Sequence, residues 1–87
     1  MNIGLIIEKY ILDSLKVGDH RKDIDHDESL IAKGVIDSLF ILQLVSFLEE
    51  EFDVTIDDNE VTPDNFETIN VMESLIGNKL QQDGEHG

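Results

Sequence analysis

"GVIDSLFILQLVSFLEEEF", Gly34 to Phe52, is the stretch on which the reading of this 87-residue chain turns. Ile41, Leu44, Val45, Leu48 and Phe52 follow the i, i+3, i+4, i+7, i+11 spacing of one helix face. The run therefore predicts a helix from Ser38 to about Glu51 or Phe52, with that face in the core. Turning by about 100° per residue puts Leu39 and Leu42 on the opposite side, among Gln43, Ser46, Glu49 and Glu50. Two leucines are thus expected in solvent beside a serine at the helix start. A serine there ordinarily caps, its oxygen accepting from a first-turn N–H, a role worth about 1 kcal/mol. The same helix end favours negative charge, so a phosphate ester on Ser38 would gain roughly 0.3 to 1 kcal/mol. Composition and spacing favour the plain cap and do not establish a modification.

Upstream, Ile3, Ile7, Ile11 and Leu15 recur every fourth position with Ile6 and Tyr10 beside them. This predicts a first helix from about Asn2 to Lys16, stopped by Gly18. The text from Asp19 to Asp37 is polar apart from "SLIAKGVI". Such a long connection needs a functional reason or short internal structure, and Leu30, Ile31, Val35 and Ile36 are candidates to pin it to the core.

Downstream, "DVTIDDNEVTPDNFETI" reads as loop with at most one helical turn around Pro63 to Glu67. Val54 and Ile56 alternate as in a strand, but no second strand is at hand to pair with them. A last helix is expected from Ile69 to Leu80, with Met72, Leu75, Ile76 and Leu80 on one face and Thr68 or Asn70 as cap. The expected fold is all-α, a small three- to four-helix bundle with a long loop between helix 1 and helix 2. Residues 1–80 form the domain, and residues 81–87, "QQDGEHG", a disordered tail.

Six basic residues against twenty acidic ones give a formal charge of -14, which repels nucleic acid and anionic membrane and attracts a basic docking surface. No Lys or Arg lies between Lys33 and Lys79, while ten Asp or Glu fall from Glu49 to Glu73. No run approaches the roughly 18 apolar residues of a membrane span, and Glu8, Lys9 and Asp13 interrupt the apolar start, so a cytoplasmic monomer without membrane insertion is expected. A chain this short buries only about 60 to 65 per cent of the surface its unfolded form exposes, which argues against a deep active site.

Three patterns imitate catalytic or metal sites. Asp37-Ser38-Leu39 is like part of the Gly-Asp-Ser-Leu block of serine hydrolases, with Asp83 and His86 downstream, but Ile36 stands where that block needs Gly. "DIDHDE", Asp23 to Glu28, and "DDNE", Asp57 to Glu60, are acidic enough for weak cation binding. Neither follows the twelve-residue calcium loop, so no catalytic residue and no dedicated metal site are assigned, and His20 and His26 read as solvated loop histidines.

The run from Gly34 to Phe52, with "ESLIAKGVIDSL" leading into it and "FETINVMESL" downstream, resembles the acyl carrier and peptidyl carrier proteins from helix 1 to Leu80. In that family Asp-Ser-Leu opens the second helix. The resemblance implies that Ser38 accepts a 4'-phosphopantetheine from coenzyme A, whose thiol then holds an acyl or aminoacyl group as a thioester. The chain has no cysteine, so the arm would supply its only thiol, and the protein would catalyse nothing itself. By the same resemblance Asp37 meets the phosphopantetheinyl transferase. Leu39, Phe40, Leu42, Gln43, Glu49 and Glu50 form the docking side for acyl or aminoacyl loading and transfer enzymes, and Ile41, Leu44, Val45 and Leu48 would line any acyl groove, although the core requires the same residues.

Phe40 and Gln43 are uncharged where carriers of general fatty acid synthesis are commonly acidic. Gln43-Leu44 and "TPDNFETI" are closer to stand-alone carriers, including those loaded with amino acids, so a dedicated carrier for lipid or specialised-metabolite biosynthesis is expected. The rival reading is an unmodified acidic interaction module that uses Leu39 and Leu42 to bind a partner helix or groove.

Overall fold

A computed structural model describes the backbone of residues 2–14 and 23–86, and side chains through residue 81. Four α-helices follow in order: α1 (Ile3–Ser14), α2 (Ser38–Phe52), α3 (Pro63–Phe66) and α4 (Ile69–His86), with a 3-10 turn at Asp58–Glu60 before α3. The protein is a small all-helical bundle, as expected, and no strand occurs among the described residues. The expected stop of helix 1 at Lys16 and Gly18 lies outside the described residues, as does His20.

α2 has the expected bounds because its apolar face has one place to go. Leu44 and Leu48 are fully buried and Phe52 nearly so, while Ile41 and Val45 are half-buried at the edges of the stripe. They meet Ile7 and Ile11 of α1, Phe66 of α3, and Ile69, Met72 and Ile76 of α4 in one continuous core. Burying such side chains contributes about 1.5 to 3 kcal/mol each. α2 ends at Asp53, whose left-handed backbone (φ 54°) turns its N–H back to the Glu49 carbonyl.

Val54 and Ile56 are buried without forming a strand, because the loop after α2 is held from within. The Glu49 carboxylate accepts the Ile56 N–H at 2.8 Å, which replaces the missing ladder partner. α3 is the single turn expected at Pro63. Thr68, not Asn70, caps α4, its hydroxyl accepting the Val71 N–H at 3.1 Å. α4 runs past the expected end at Leu80 to His86.

The connection into α2 is fastened at two points. Near its start, Glu8 of α1, only 8% exposed, accepts the Ile24 N–H at 3.1 Å and lies 2.7 Å from His26 Nε2. His26 is therefore not a solvated loop histidine. Gly4 makes room for it, since a Cβ there would stand 3.1 Å from the imidazole. The His26 carbonyl in turn accepts the Asn70 N–H at 3.1 Å.

Further on, Leu30 is fully buried and donates its N–H to the Glu67 carbonyl at 2.8 Å. The Leu30 carbonyl receives the N–H groups of Val35 and Ile36, at 2.9 and 3.3 Å. Closing that turn requires the left-handed φ of 73° at Gly34. Of the four expected anchors, Leu30 and Ile36 are buried and Ile31 and Val35 half-buried, and Ile24 joins them in the core. The long loop thus contains the short internal structure its length called for.

Candidate functional site

Ile36 is buried at 3% exposure, and the next residue, Asp37, is already in solvent. Asp37 has extended dihedrals (φ -128°, ψ -176°), and its Oδ1 accepts the Phe40 N–H at 2.8 Å while its carbonyl accepts that of Ile41 at 2.9 Å. Asp37 is therefore the N-cap of α2, and Ser38 is its first helical residue. This corrects the capping role expected of the serine. Among the described residues the Ser38 side chain is exposed and takes no part in the cap.

Leu39 and Leu42 flank this hydroxyl at 67% and 59% exposure, on the side the helical wheel assigns to solvent. Gln43 is exposed as well. Phe40 is half-buried and stacks on Tyr10 of α1 at 5.9 Å between ring centroids, and Tyr10 also lies 3.9 Å from Phe47. Much of the Phe40 ring is thus spent on holding α1 against α2. Glu49 is half-buried and occupied with the Ile56 N–H, whereas Glu50 is exposed.

Two shallow grooves open near the start of α2. One, of about 280 Å³, is bounded by Ser14, Gly34, Val35, Asp37, Leu39, Phe40 and Gln43. The other, of about 220 Å³, is bounded by Ser38, Ile41 and Leu42 of α2, by Val61 and Thr62 ahead of α3, and by Pro63 at its start. Both are smaller than the roughly 300 Å³ at which small-molecule pockets begin. Of the residues expected to line an acyl groove, Ile41 does so, Leu44 and Leu48 are wholly within the core, and Val45 lies half-buried. Val61, Thr62 and Pro63 could not be found from α2 alone.

The two acidic motifs turn out to be devices of backbone closure. Glu28 accepts the Asp25 N–H at 2.9 Å, and Glu60 accepts the Asp57 N–H at 2.9 Å, the same Asp-x-x-Glu arrangement in each. Among the described residues, no three His, Asp or Glu side chains converge as metal ligands. Asp83 and His86 fall outside the described side chains.

Glu60 also receives the Lys79 ammonium at 2.7 Å. That bond, with the Asp57 N–H second, holds the Glu60 carboxyl below its ordinary range against the upward push of burial. Lys79 is the one basic residue after Lys33, so the chain from Gly34 onward has no other cation to set against its acids.

No protein-family model matches the chain. Among curated proteins it is 36% identical over 70 residues, 79% of each chain, to "Probable acyl carrier protein PigG" of Serratia sp.. It is 31% identical over 78 residues, 88% of this chain and 96% of the other, to a D-alanyl carrier protein of Lactobacillus delbrueckii subsp. bulgaricus. Over 55 residues, 63% of this chain, it is 34% identical to aminoacyl carrier protein 2 of Bradyrhizobium diazoefficiens, and there it spans under two thirds, 62%, of the relative's length. The small all-helical bundle is consistent with these likenesses. The chain belongs to the acyl carrier protein family, in the broad sense that includes aminoacyl and D-alanyl carriers.

Proposed function

We propose that the protein carries acyl or aminoacyl groups as thioesters on a 4'-phosphopantetheine arm attached to Ser38. The observation that carries this reading is the division of labour at the start of α2: Asp37 caps the helix, and the serine hydroxyl stands exposed, with no hydrogen bond to the described residues. The site fits the group. Ser38 lies in the first turn of α2, where unpaired N–H groups favour an attached phosphate, and a groove of about 220 Å³ leads away from it.

In the loading step, Ser38 Oγ would attack the phosphorus next to pantetheine in coenzyme A. An Oγ–P bond forms, the P–O bond of the pyrophosphate breaks, 3',5'-ADP leaves, and the Oγ proton passes to a base of the transferase. The arm supplies a thiol, a group this chain otherwise lacks. Asp37, Leu39 and Leu42 present a carboxylate and an apolar surface to the transferase, and Gln43 and Glu50 extend that surface to the loading and transfer enzymes. A dedicated cytoplasmic carrier is favoured over a general one of fatty acid synthesis. Gln43 is neutral, Phe40 is neutral and partly used in packing, and relatives bear the names of aminoacyl and D-alanyl carriers.

The test is the intact mass of the protein after incubation with coenzyme A and a broad-specificity phosphopantetheinyl transferase. One phosphopantetheine gained by the native chain and none by Ser38→Ala is the expected result. No gain by well-folded, unmodified protein would favour the acidic interaction module, for which exposed Leu39 and Leu42 are the supporting observation.

A further inference from the structure

The groove beside Ser38 has one wall in α2 and the other in Val61 and Thr62, two residues of irregular backbone, and Pro63, the first residue of α3. What fixes that second wall is Glu60, the residue before it. The Glu60 carboxylate binds the Asp57 N–H at 2.9 Å and Lys79 Nζ at 2.7 Å. Its carbonyl accepts the Thr62 N–H at 2.9 Å and the Asn65 side-chain amide at 2.8 Å. One residue thereby joins the 3-10 turn, the groove wall, α3 and α4. α3, which continues the wall from Pro63, ends in Phe66, which is fully buried.

Among the described residues the contact to α4 is the only charge pair in this region, and it is sheltered: the Lys79 side chain is 15% exposed and that of Glu60 28%. A surface pair of two long, mobile side chains contributes little. This one is supported by a backbone N–H bond, from Asp57, on the same carboxylate, which restricts its motion. A chain with a formal charge of -14 that has one cation after Lys33 places it here. Widening the groove means moving Val61 away from α2, and its neighbour Glu60 is tied to α4.

We propose that the Glu60–Lys79 ion pair is a gauge on the cargo: it holds the Val61–Pro63 wall close to α2, so that only short groups on the arm fold back beside Ser38. This rests on the carrier reading. Both residues act through the wall and are positioning residues.

The experiment uses a broad-specificity phosphopantetheinyl transferase to load acetyl-, hexanoyl- and dodecanoyl-phosphopantetheine from the corresponding acyl-coenzyme A onto the native chain, Lys79→Met, Glu60→Gln and Lys79→Arg. Each loaded form is melted against its own acyl-free holo form. The native chain and Lys79→Arg should gain little more from dodecanoyl than from acetyl. Lys79→Met should gain about 4 °C or more from the longer chain, an easily resolved shift for a domain of this size. Glu60→Gln, which keeps the shape and the Asp57 contact, should fall between them and stands in if Lys79→Met does not fold. Equal gains in native and variant proteins, or a native chain already stabilised in proportion to chain length, would overturn the gauge alone. Failure of the native chain to acquire the arm would overturn the carrier reading and the gauge with it.

Discussion

Asp37 and Ser38 are both residue types that cap helices well, and their order in the chain decides which one does. With nearly equal preference at the cap, the two cannot be told apart by sequence. The backbone distinguishes them: Asp37 is extended and accepts the Phe40 N–H at 2.8 Å, and Ser38 is already helical. Asp37→Ala should therefore cost about 1 kcal/mol in chemical denaturation, while Asp37→Asn stays within a few tenths. Ser38→Ala should leave stability unchanged, and a larger loss there than in Asp37→Ala would return the cap to the serine. The exposed Leu39 and Leu42, by contrast, were legible in advance, because the periodicity of an amphipathic helix assigns both of its faces.

At the scale of elements, α2 and α3 were legible because their signals are local: an apolar stripe in one case, a proline at the first position in the other. The apolar anchors of the long loop, Leu30 and Ile36, were legible as well, but the polar contacts that tie distant segments together were not. Glu8 and His26 stand 18 positions apart and Glu60 and Lys79 stand 19 apart, and nothing in either neighbourhood marks them as pairs. Glu8 even reads as an interruption of the apolar face of α1, although it is buried there with partners. The Asp-x-x-Glu closures were legible in principle as capping patterns, but clustered acids also suggest cations. Gly34 tests the loop directly. A Cβ there meets no atom within 4 Å, so the cost of Gly34→Ala is that of the left-handed backbone alone, about 1 to 2 kcal/mol. A denaturation midpoint equal to the native one would show that the turn into α2 does not need this conformation.

For the whole molecule, two electrostatic effects oppose each other. The formal charge of -14 makes carboxylates repel in the compact state, so added salt should raise the melting temperature at pH 7. Glu8 and Glu60 work the other way. The hydrogen bond from His26, against burial and with help from the Ile24 N–H, holds the Glu8 carboxyl below its ordinary range, as Lys79 does for Glu60. A carboxyl lowered in the folded state stabilises above its unfolded pKa, and that stabilisation is lost as pH falls through the folded value. Melting temperatures should therefore decline below about pH 4.5, near the unfolded carboxyl value. Glu8→Gln should melt lower than the native chain at pH 7 and lose less between pH 5 and pH 3. A Glu8→Gln profile parallel to the native one would remove Glu8 from this account, and a lower melting temperature in salt would show that repulsion does not limit stability.

Because the cap belongs to Asp37 and the chain has no cysteine, position 38 is also a ready attachment point for synthetic chemistry. A Ser38→Cys chain would display one thiol, at the edge of the groove that Ser38 lines, without disturbing the start of α2. A fluorophore, a spin label or a cross-linker could then be installed at that single position, and enzymes that dock against Leu39 and Leu42 could be trapped there in mid-encounter.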